Sequence, residues 1–600
     1  MKDKALRILN WLFKWDTGTY ISAGAIFVTF MAFNVMWCMW TTFTPFSHFP
    51  LYISTILFSL ILTLPYAMWR CKYVQLLILA GLQLLLLANL MYARTYFNII
   101  PLTSYTNAGN LADFMPSVWA SLRWSDLVFP LILALTVWLM VRYKKQLSAK
   151  KTNRAAYLTI LAIPLLITII VFPTPSRFKA RYDKLGNNAY TYRSGPAMYT
   201  VFGSLIYNAL SEMEQLTPEQ KRDSAAYLAA IPRIESLPDS VTAPQNLVFI
   251  FCESLESWVI DMVYDGQEVT PNLNAMLRND STFYAPHVVS QARDGRSIDG
   301  QLLCLTGLLP LTQGTYSVRY PDTYYPSIHK ALKQQHGSRA VLLTGDKEYV
   351  WNQAQIGRNF GLDTIVSFYD FKVEESYTGR EHIGDRALMR QCVDKIKKGD
   401  LWRPGEPFYL QMVTYSGHSP FHLPDSEKKL KIGSDIPMVM ADYMQIAHYT
   451  DEALGIMIDY LRTRPDRANT MVIITGDHEG LADNRSVIRA TDMGRKYVSE
   501  EQFVPFIVLN APVTGKTDKV MGQIDIFPSM IYLLGLNDYS WTGLGRSIFS
   551  KNHPGAAIST LGQHVTGPGS ELSKAQWQTI IDAQRHSDRI IRYDLLRPAR

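Results

Sequence analysis

The chain has 600 residues, 48% hydrophobic and 18% charged, with a formal net charge of +7. Such a length makes room for about three to four domain-sized units. The charge is small and much of it sits in short loops of the first third, so it says more about membrane orientation than about nucleic acid, and no nucleic-acid partner is expected. Five scattered cysteines, none in a CxxC pair, exclude a disulfide framework and a zinc ribbon.

The chain opens with a charged amphipathic stretch, MKDKALRILNWLFKWD, followed by five apolar stretches at about 20–42, 49–69, 73–93, 127–141 and 156–172. The first three match the ~20 residues that cross a bilayer core; the last two are shorter but almost free of charge. No small-residue cleavage site follows a short apolar core, so the first stretch reads as an anchor. Basic residues in the short segments set the orientation. Lys2, Lys4, Arg7 and Lys14 precede the first stretch, Arg70 and Lys72 follow the second, and Arg142, Lys144, Lys145, Lys150, Lys151 and Arg154 follow the fourth. The opposite loops hold only Arg94 and Arg123. This bias places the N-terminus in the cytoplasm and everything after residue 172 outside, in a bacterial cell (inner) membrane. Arg177, Lys179, Arg181 and Lys184 run against it, but long translocated domains largely escape the rule.

Residues 173–244 read as a juxtamembrane linker containing a helix in SEMEQLTPEQKRDSAAYLAAI. Its aromatic residues Tyr190, Tyr192, Tyr199, Phe202 and Tyr207 suit either the membrane interface or the outer domain. From residue 245 short apolar runs alternate with helical periodicity. NLVFIFC, RAVLLT, FYLQMVT, MVIIT and VPFIVL read as buried strands, and MADYMQIAHYTDEALGIMIDYLR as an amphipathic helix with His448 in a structural role. The alternation predicts an α/β domain over 245–550 with a mostly parallel central sheet, after a five-span domain over 1–172; residues 551–600 read as a helical extension.

In such sheets ligands gather outside the carboxyl ends of the strands. There the chain delivers Glu253, then Asp346 with Trp351 close behind, then His418, then the pair Asp477-His478. Between the first two lies QARDGRSIDGQLLCLTGLL, in which Ser297 opens a helix. Each residue alone has a bland reading: Ser297 as an N-cap, Asp477-His478 as the cap of a turn, His418 as a surface histidine. Four strand ends carrying ligating residues together are much less expected by chance.

The order Glu-Ser after the first strand, the box around Arg296-Ser297, a GHSPF loop and then GDH resembles the lipoteichoic acid synthase family, in the sulfatase-like branch of the alkaline phosphatase superfamily. FVPFIVLNAP and QIDIFPSMIYLLG are similar to its closing segment. The resemblance implies a divalent metal on Glu253, Ser297, Asp477 and His478, Mn²⁺ by preference with Zn²⁺ or Mg²⁺ possible. It also implies Ser297 as nucleophile where the family usually has Thr, and His418 on the substrate phosphate or in proton transfer. Arg296, Asp346, Trp351 and His418 are then substrate contacts. The head-group motif departs from the family at Thr344 and Gln353, where His and Arg are usual, which weakens an assignment to phosphatidylglycerol.

The expected activity is transfer of a phosphoalcohol head group, phosphoglycerol or phosphoethanolamine, from a membrane phospholipid to a glycan or lipid acceptor through a phosphoryl-serine. Phosphoethanolamine transferases are usually richer in domain disulfides, and Cys252, Cys304 and Cys392 argue against that branch. The alternative is a membrane-anchored phosphodiesterase or phosphatase in which water replaces the acceptor. A formylglycine sulfatase is discounted, since Ser297-Ile298-Asp299-Gly300-Gln301 lacks the Pro or Ala and the Arg that such a site requires. A non-catalytic sensor is a third reading, opposed by the intact ligand set.

Overall fold

The computed structural model describes residues 10–41, 49–96, 99–100, 122–149, 151–183, 200–207, 209–211, 213–377, 382–399, 401–403, 405–482 and 484–598. Lys2, Lys4, Arg7, Lys150, Lys184, Tyr190, Tyr192 and Tyr199 lie outside them. The chain divides into two compact units, residues 1–108 with 118–215, and residues 109–117 with 216–600.

Among the described residues of the first unit, five helical segments are long and apolar enough to cross a membrane; they contain α1 (Thr17–Thr41), α2 (Phe49–Trp69), α3 (Lys72–Tyr96), α4 (Val128–Arg142) and α5 (Arg154–Val171). The fourth crossing segment starts at Trp124 and the fifth at Arg154, giving 19 and 18 residues; flanking polar residues stay helical and lengthen both beyond their apolar runs. Between apolar helices in lipid, packing and a few internal hydrogen bonds hold the bundle. Asn34 Nδ2 donates to Thr55 Oγ1 at 3.0 Å and Gln83 Nε2 to Thr29 Oγ1 at 3.3 Å. Arg94 spans the Asp126 carboxylate with both terminal nitrogens at 2.7 Å, tying the end of α3 to the segment that enters α4. Two of the linker aromatics whose place was open belong here. Phe202 packs on Phe58 and Phe30, with ring centroids 4.8 and 5.9 Å away, and Tyr207 is buried beneath the Lys179 ammonium.

The second unit is built on a nine-stranded sheet. Its strands are β1 (Asn246–Cys252), β2 (Thr282–Val289), β3 (Arg339–Thr344), β4 (Thr364–Val366), β5 (Phe408–Val413), β6 (Thr470–Gly476), β7 (Phe503–Leu509) and the short β8 (Gly515–Lys516) and β9 (Met521–Gly522). The order is β8-β2-β7-β6-β1-β5-β3-β4, with β9 also on β2. From β6 to β4 all pairs are parallel, whereas β7 runs antiparallel to both β6 and β2. The predicted mostly parallel sheet is present. Strand β2 escaped sequence reading because Pro286 interrupts TFYAPHVV; the register shifts between Ala285 and Val288, a bulge that accommodates a residue without an N–H.

Strand β1 shows why the sheet is buried on both faces. Val248, Ile250 and Cys252 enter one apolar layer and Leu247, Phe249 and Phe251 the other, the two-residue alternation of a pleated strand. Helices α8 (Asp385–Lys398) and α9 (Met438–Thr463) cover the first face; α7 (Ser297–Thr306) covers the second. His448 accepts its structural role: its Nδ1 lies 2.9 Å from the Val269 carbonyl. The linker helix α6 (Pro218–Ala229) and the C-terminal helix α10 (Lys574–Tyr593) face each other, with Tyr227 stacked on His586 at 4.0 Å and Arg589 on Asp223 at 2.7 Å. The last fifty residues are helical only in part. An antiparallel hairpin, β10 (Ala556–Ile558) with β11 (His564–Thr566), precedes α10.

Candidate active site

The middle strands bring their carboxyl ends together in register. Cys252 pairs with Gly476, so the residues that follow, Glu253 and Asp477, emerge side by side. Asp477 is fully buried. Its Oδ1 accepts from the Ser254 and His478 N–H groups, each at 2.8 Å, while Oδ2 has no hydrogen-bond partner among the described residues. Glu253 is fastened through its N–H to Thr414 Oγ1 at 2.9 Å, and its Oε1 accepts from the Ser254 hydroxyl at 2.6 Å. Backbones crowd closely at this edge: a Cβ on Gly417 would stand 2.0 Å from the Glu253 carbonyl oxygen, so only glycine fits there.

Helix α7 delivers the hydroxyl. Ser297 is its first residue, not its cap, and Ser297 Oγ donates to Glu253 Oε2 at 2.9 Å with His478 Nε2 at 3.4 Å. The preceding Arg296 takes φ +47° and ψ −114°, a costly conformation for a residue with a side chain. Its guanidinium is buried on the Glu479 carboxylate and donates to the Glu479 carbonyl at 2.8 Å, with His478 Nδ1 at 3.1 Å. That places Arg296 behind the imidazole, as its support. Glu479 in turn accepts from Ser290 Oγ at 2.9 Å.

The electrostatics suit a cation. Burial and the neighbouring Glu253 push the Asp477 carboxyl well above the ordinary carboxylate range. Burial would raise Glu253 as well, but His418 and His478 outweigh it and hold Glu253 down at about 2. Burial and the Arg296 guanidinium lower His478, which favours the neutral form that ligates a metal. One ligand atom from each of Glu253, Asp477 and His478 lies within 4.8 Å of the others. An orphaned buried carboxylate oxygen, a second carboxylate, a neutral imidazole and a serine hydroxyl fit a divalent ion.

His418, half-buried in the loop after β5, lies near enough to lower Glu253 by its charge. Its ring sits 5.5 Å from Tyr415, which stacks on His382 at 5.1 Å. The buried Asp385 holds this loop, accepting from the Tyr415 and Ser416 N–H groups at 2.8 and 3.0 Å. Asp346 and Trp351 follow β3, two strands from β1 and outside the ligand group. Thr344 accepts from the Asp346 N–H at 3.2 Å, and Trp351 and Asn352 both adopt positive φ. Gln353 is turned inward, its Nε2 3.4 Å from Gln301 Oε1.

Sequence reasoning missed Ser254, Glu479 and Asp385. The first two adjoin chosen residues, and a search for ionic or hydroxyl neighbours of Glu253 and His478 would have raised them. Asp385 carries no local signal, since its partners lie 30 residues on.

The sulfatase family model matches residues 245–536 and the lipoteichoic acid synthase N-terminal domain model matches residues 7–209. The second match falls on the membrane helices and the first on the unit that holds the nine-stranded sheet. Similar proteins include lipoteichoic acid synthase 2 of Bacillus subtilis (strain 168), 24% identical over 86% of this chain and 82% of that protein. Another is the lipoteichoic acid synthase of Staphylococcus aureus (strain USA300), 23% identical over 79% of this chain and 74% of that protein. The solved structure of the lipoteichoic acid synthase LtaP from Listeria monocytogenes shares the fold, with TM-score 0.50 and 19% identity over 63% of this chain and 99% of that one. Over most of its length the chain is similar to the lipoteichoic acid synthase-like proteins of the sulfatase family.

Proposed function

We propose that this protein transfers a phosphoalcohol head group, phosphoglycerol first, from a membrane phospholipid to a hydroxyl of a glycan or lipid acceptor. The convergence of the Ser297 hydroxyl on Glu253 and His478, beside the orphaned Asp477 oxygen, carries this reading. A divalent ion, Mn²⁺ by preference, held by Glu253, Ser297, Asp477 and His478 would polarise the phosphoryl group and favour the serine alkoxide.

Ser297 Oγ attacks the donor phosphorus, and its hydroxyl proton already points at Glu253 Oε2. The new Oγ–P bond forms as the bond from phosphorus to the diacylglycerol oxygen breaks. The N-terminus of α7 presents positive potential to the phosphoryl oxygens. His418 gives a proton to the departing diacylglycerol oxygen; it takes one back from the acceptor hydroxyl as that oxygen bonds to phosphorus and the Oγ–P bond breaks, releasing Ser297 Oγ, which recovers the proton it gave up. Asp346 and Trp351 are assigned to the head group. Arg296 supports the His478 imidazole from behind.

The membrane helices keep the site within reach of a lipid donor, on the outer side of a bacterial cell membrane with the N-terminus in the cytoplasm. Cys71 tests this orientation, because it is partly exposed in a basic loop while Cys38, Cys252, Cys304 and Cys392 are buried. An impermeant maleimide should label Cys71 only after cells are opened; labelling of intact cells would reverse the topology.

The function is tested with the detergent-solubilised protein, Mn²⁺ and fluorescent phosphatidylglycerol or phosphatidylethanolamine. Labelled diacylglycerol, lost in Ser297→Ala, is expected from one of them. Free head group as the sole second product, with acceptor present, would make the protein a hydrolase instead.

A further inference from the structure

The turn that precedes Ser297 adopts its costly shape because something holds it. Arg296 N–H donates to the Arg293 carbonyl at 3.0 Å, closing a turn over residues 293–296. A carboxylate at the third position of a helix ordinarily reaches back to the N–H of the cap residue. Asp299 occupies that position in α7 but reaches further. Its Oδ2 accepts from Gly295 N–H at 2.9 Å and from Arg293 N–H at 3.0 Å. The carboxyl lies flat against the turn, since a Cβ on Gly295 would stand 2.3 Å from Asp299 Oδ1. Asp299 is 1% exposed, and Oδ1 has no hydrogen-bond partner among the described residues. Burying a carboxyl with one oxygen unsatisfied opposes folding, so the residue contributes through what Oδ2 holds.

We infer that Asp299 is a positioning residue for the nucleophile: by gripping two N–H groups of the 293–296 turn it keeps Arg296 at positive φ and so aims Ser297 Oγ at Glu253 and His478. It touches no reacting atom and acts only through Ser297. The inference rests on the proposed role of Ser297, and it predicts a separation that a purely structural carboxylate would not show. Asp299→Asn keeps an acceptor oxygen for both N–H groups, whereas Asp299→Ala removes it.

The test uses the full-length protein in detergent with Mn²⁺ and the donor lipid identified above. Asp299→Ala should lower kcat about 100-fold, the scale expected from displacing a nucleophile by about 1 Å, with donor KM within about threefold of wild type. Asp299→Asn should stay within about fivefold of wild type in kcat. Gly295→Ala, which drives a methyl group into the carboxyl, should reproduce the kcat loss and serves in place of Asp299→Ala if that variant does not fold. Wild-type kcat in Asp299→Ala, or equal losses in the Ala and Asn variants, would overturn the inference. A crystal structure of the Asp299→Ala or Gly295→Ala outer domain within the full chain decides the point without turnover: Arg296 should leave positive φ and Ser297 Oγ should leave Glu253. An unchanged turn would overturn the inference, while inactive wild-type protein would instead overturn the proposed function.

Discussion

Gly300 lies against the carbonyl of Asp477: a Cβ at Gly300 would stand 2.2 Å from that oxygen. The third residue after the nucleophile is thus in contact with the backbone of a metal-ligand candidate, and the helix that carries Ser297 can approach β6 only because this position has no side chain. Gly300→Ala should push α7 outward, lowering stability by about 1–3 kcal/mol and transfer activity by more than tenfold. Gly81→Ala, where nothing lies within 4 Å, is the control and should change neither. Thermal melting with a turnover assay on both variants checks the pair.

Metal dependence is the expected outcome of the proposed ligand set, in which Asp477 Oδ2 accepts no hydrogen bond among the described residues. Chelation should abolish head-group transfer and Mn²⁺ should restore it. Asp477→Asn keeps the volume and the acceptor for the Ser254 and His478 N–H groups but removes the charge. Its Mn²⁺ affinity, measured by calorimetry, should fall by at least 100-fold. Undiminished affinity in Asp477→Asn would remove this residue from the ligand set.

Acid should destabilise the second unit through His329. Burial lowers this histidine to about 3, against an ordinary value near 6.5, with only Gln411 Oε1 at 3.2 Å as partner of its Nε2. The unfolded chain then binds the proton first, so stability rises with pH over the window from about 3 to 6.5 and is constant above it. Between pH 7.5 and 5 the loss from this one group is about 2 kcal/mol. Melting temperatures of the wild type and His329→Gln should converge in their pH slope at pH 7–8 and separate below 6.

The C-terminal helix braces the segment that follows α7. Asp588 accepts from Thr312 N–H at 2.9 Å and from the Thr312 hydroxyl, and Ser587 Oγ donates to the Leu309 carbonyl at 2.7 Å. Asp588→Ala leaves the Thr312 groups unpaired and should cost about 1–3 kcal/mol, read as a lower melting temperature. Unchanged melting would show that α10 is dispensable to this segment.

In the membrane unit, Arg94→Ala strands the buried Asp126 carboxylate and should destabilise by about 3–5 kcal/mol, whereas Arg94→Ala with Asp126→Ala should recover part of the loss. Detergent-resistance half-lives of the two variants distinguish a coupled pair from two independent residues.

The amino-acid sequence by itself determined the five membrane helices, because apolar length is a local property, and the middle strands β1, β3, β5 and β6, because strands buried on both faces are continuous apolar runs. It also marked Glu253, Ser297, Asp477 and His478, since ligating residues at strand ends stand out against the apolar runs before them. Only the tertiary structure decided that β7 is antiparallel, since an apolar run of six residues reads the same in either direction. It alone showed β2, whose Pro286 is tolerated at a bulge, and the hairpin in the last fifty residues, whose short strands carry no period of their own. It turned Arg296 onto Glu479 and Gln353 onto Gln301, and it set Asp299 against the turn before Ser297. Residue type announces what a side chain is able to do; which partner it meets depends on the register and close approach of segments far apart in the chain.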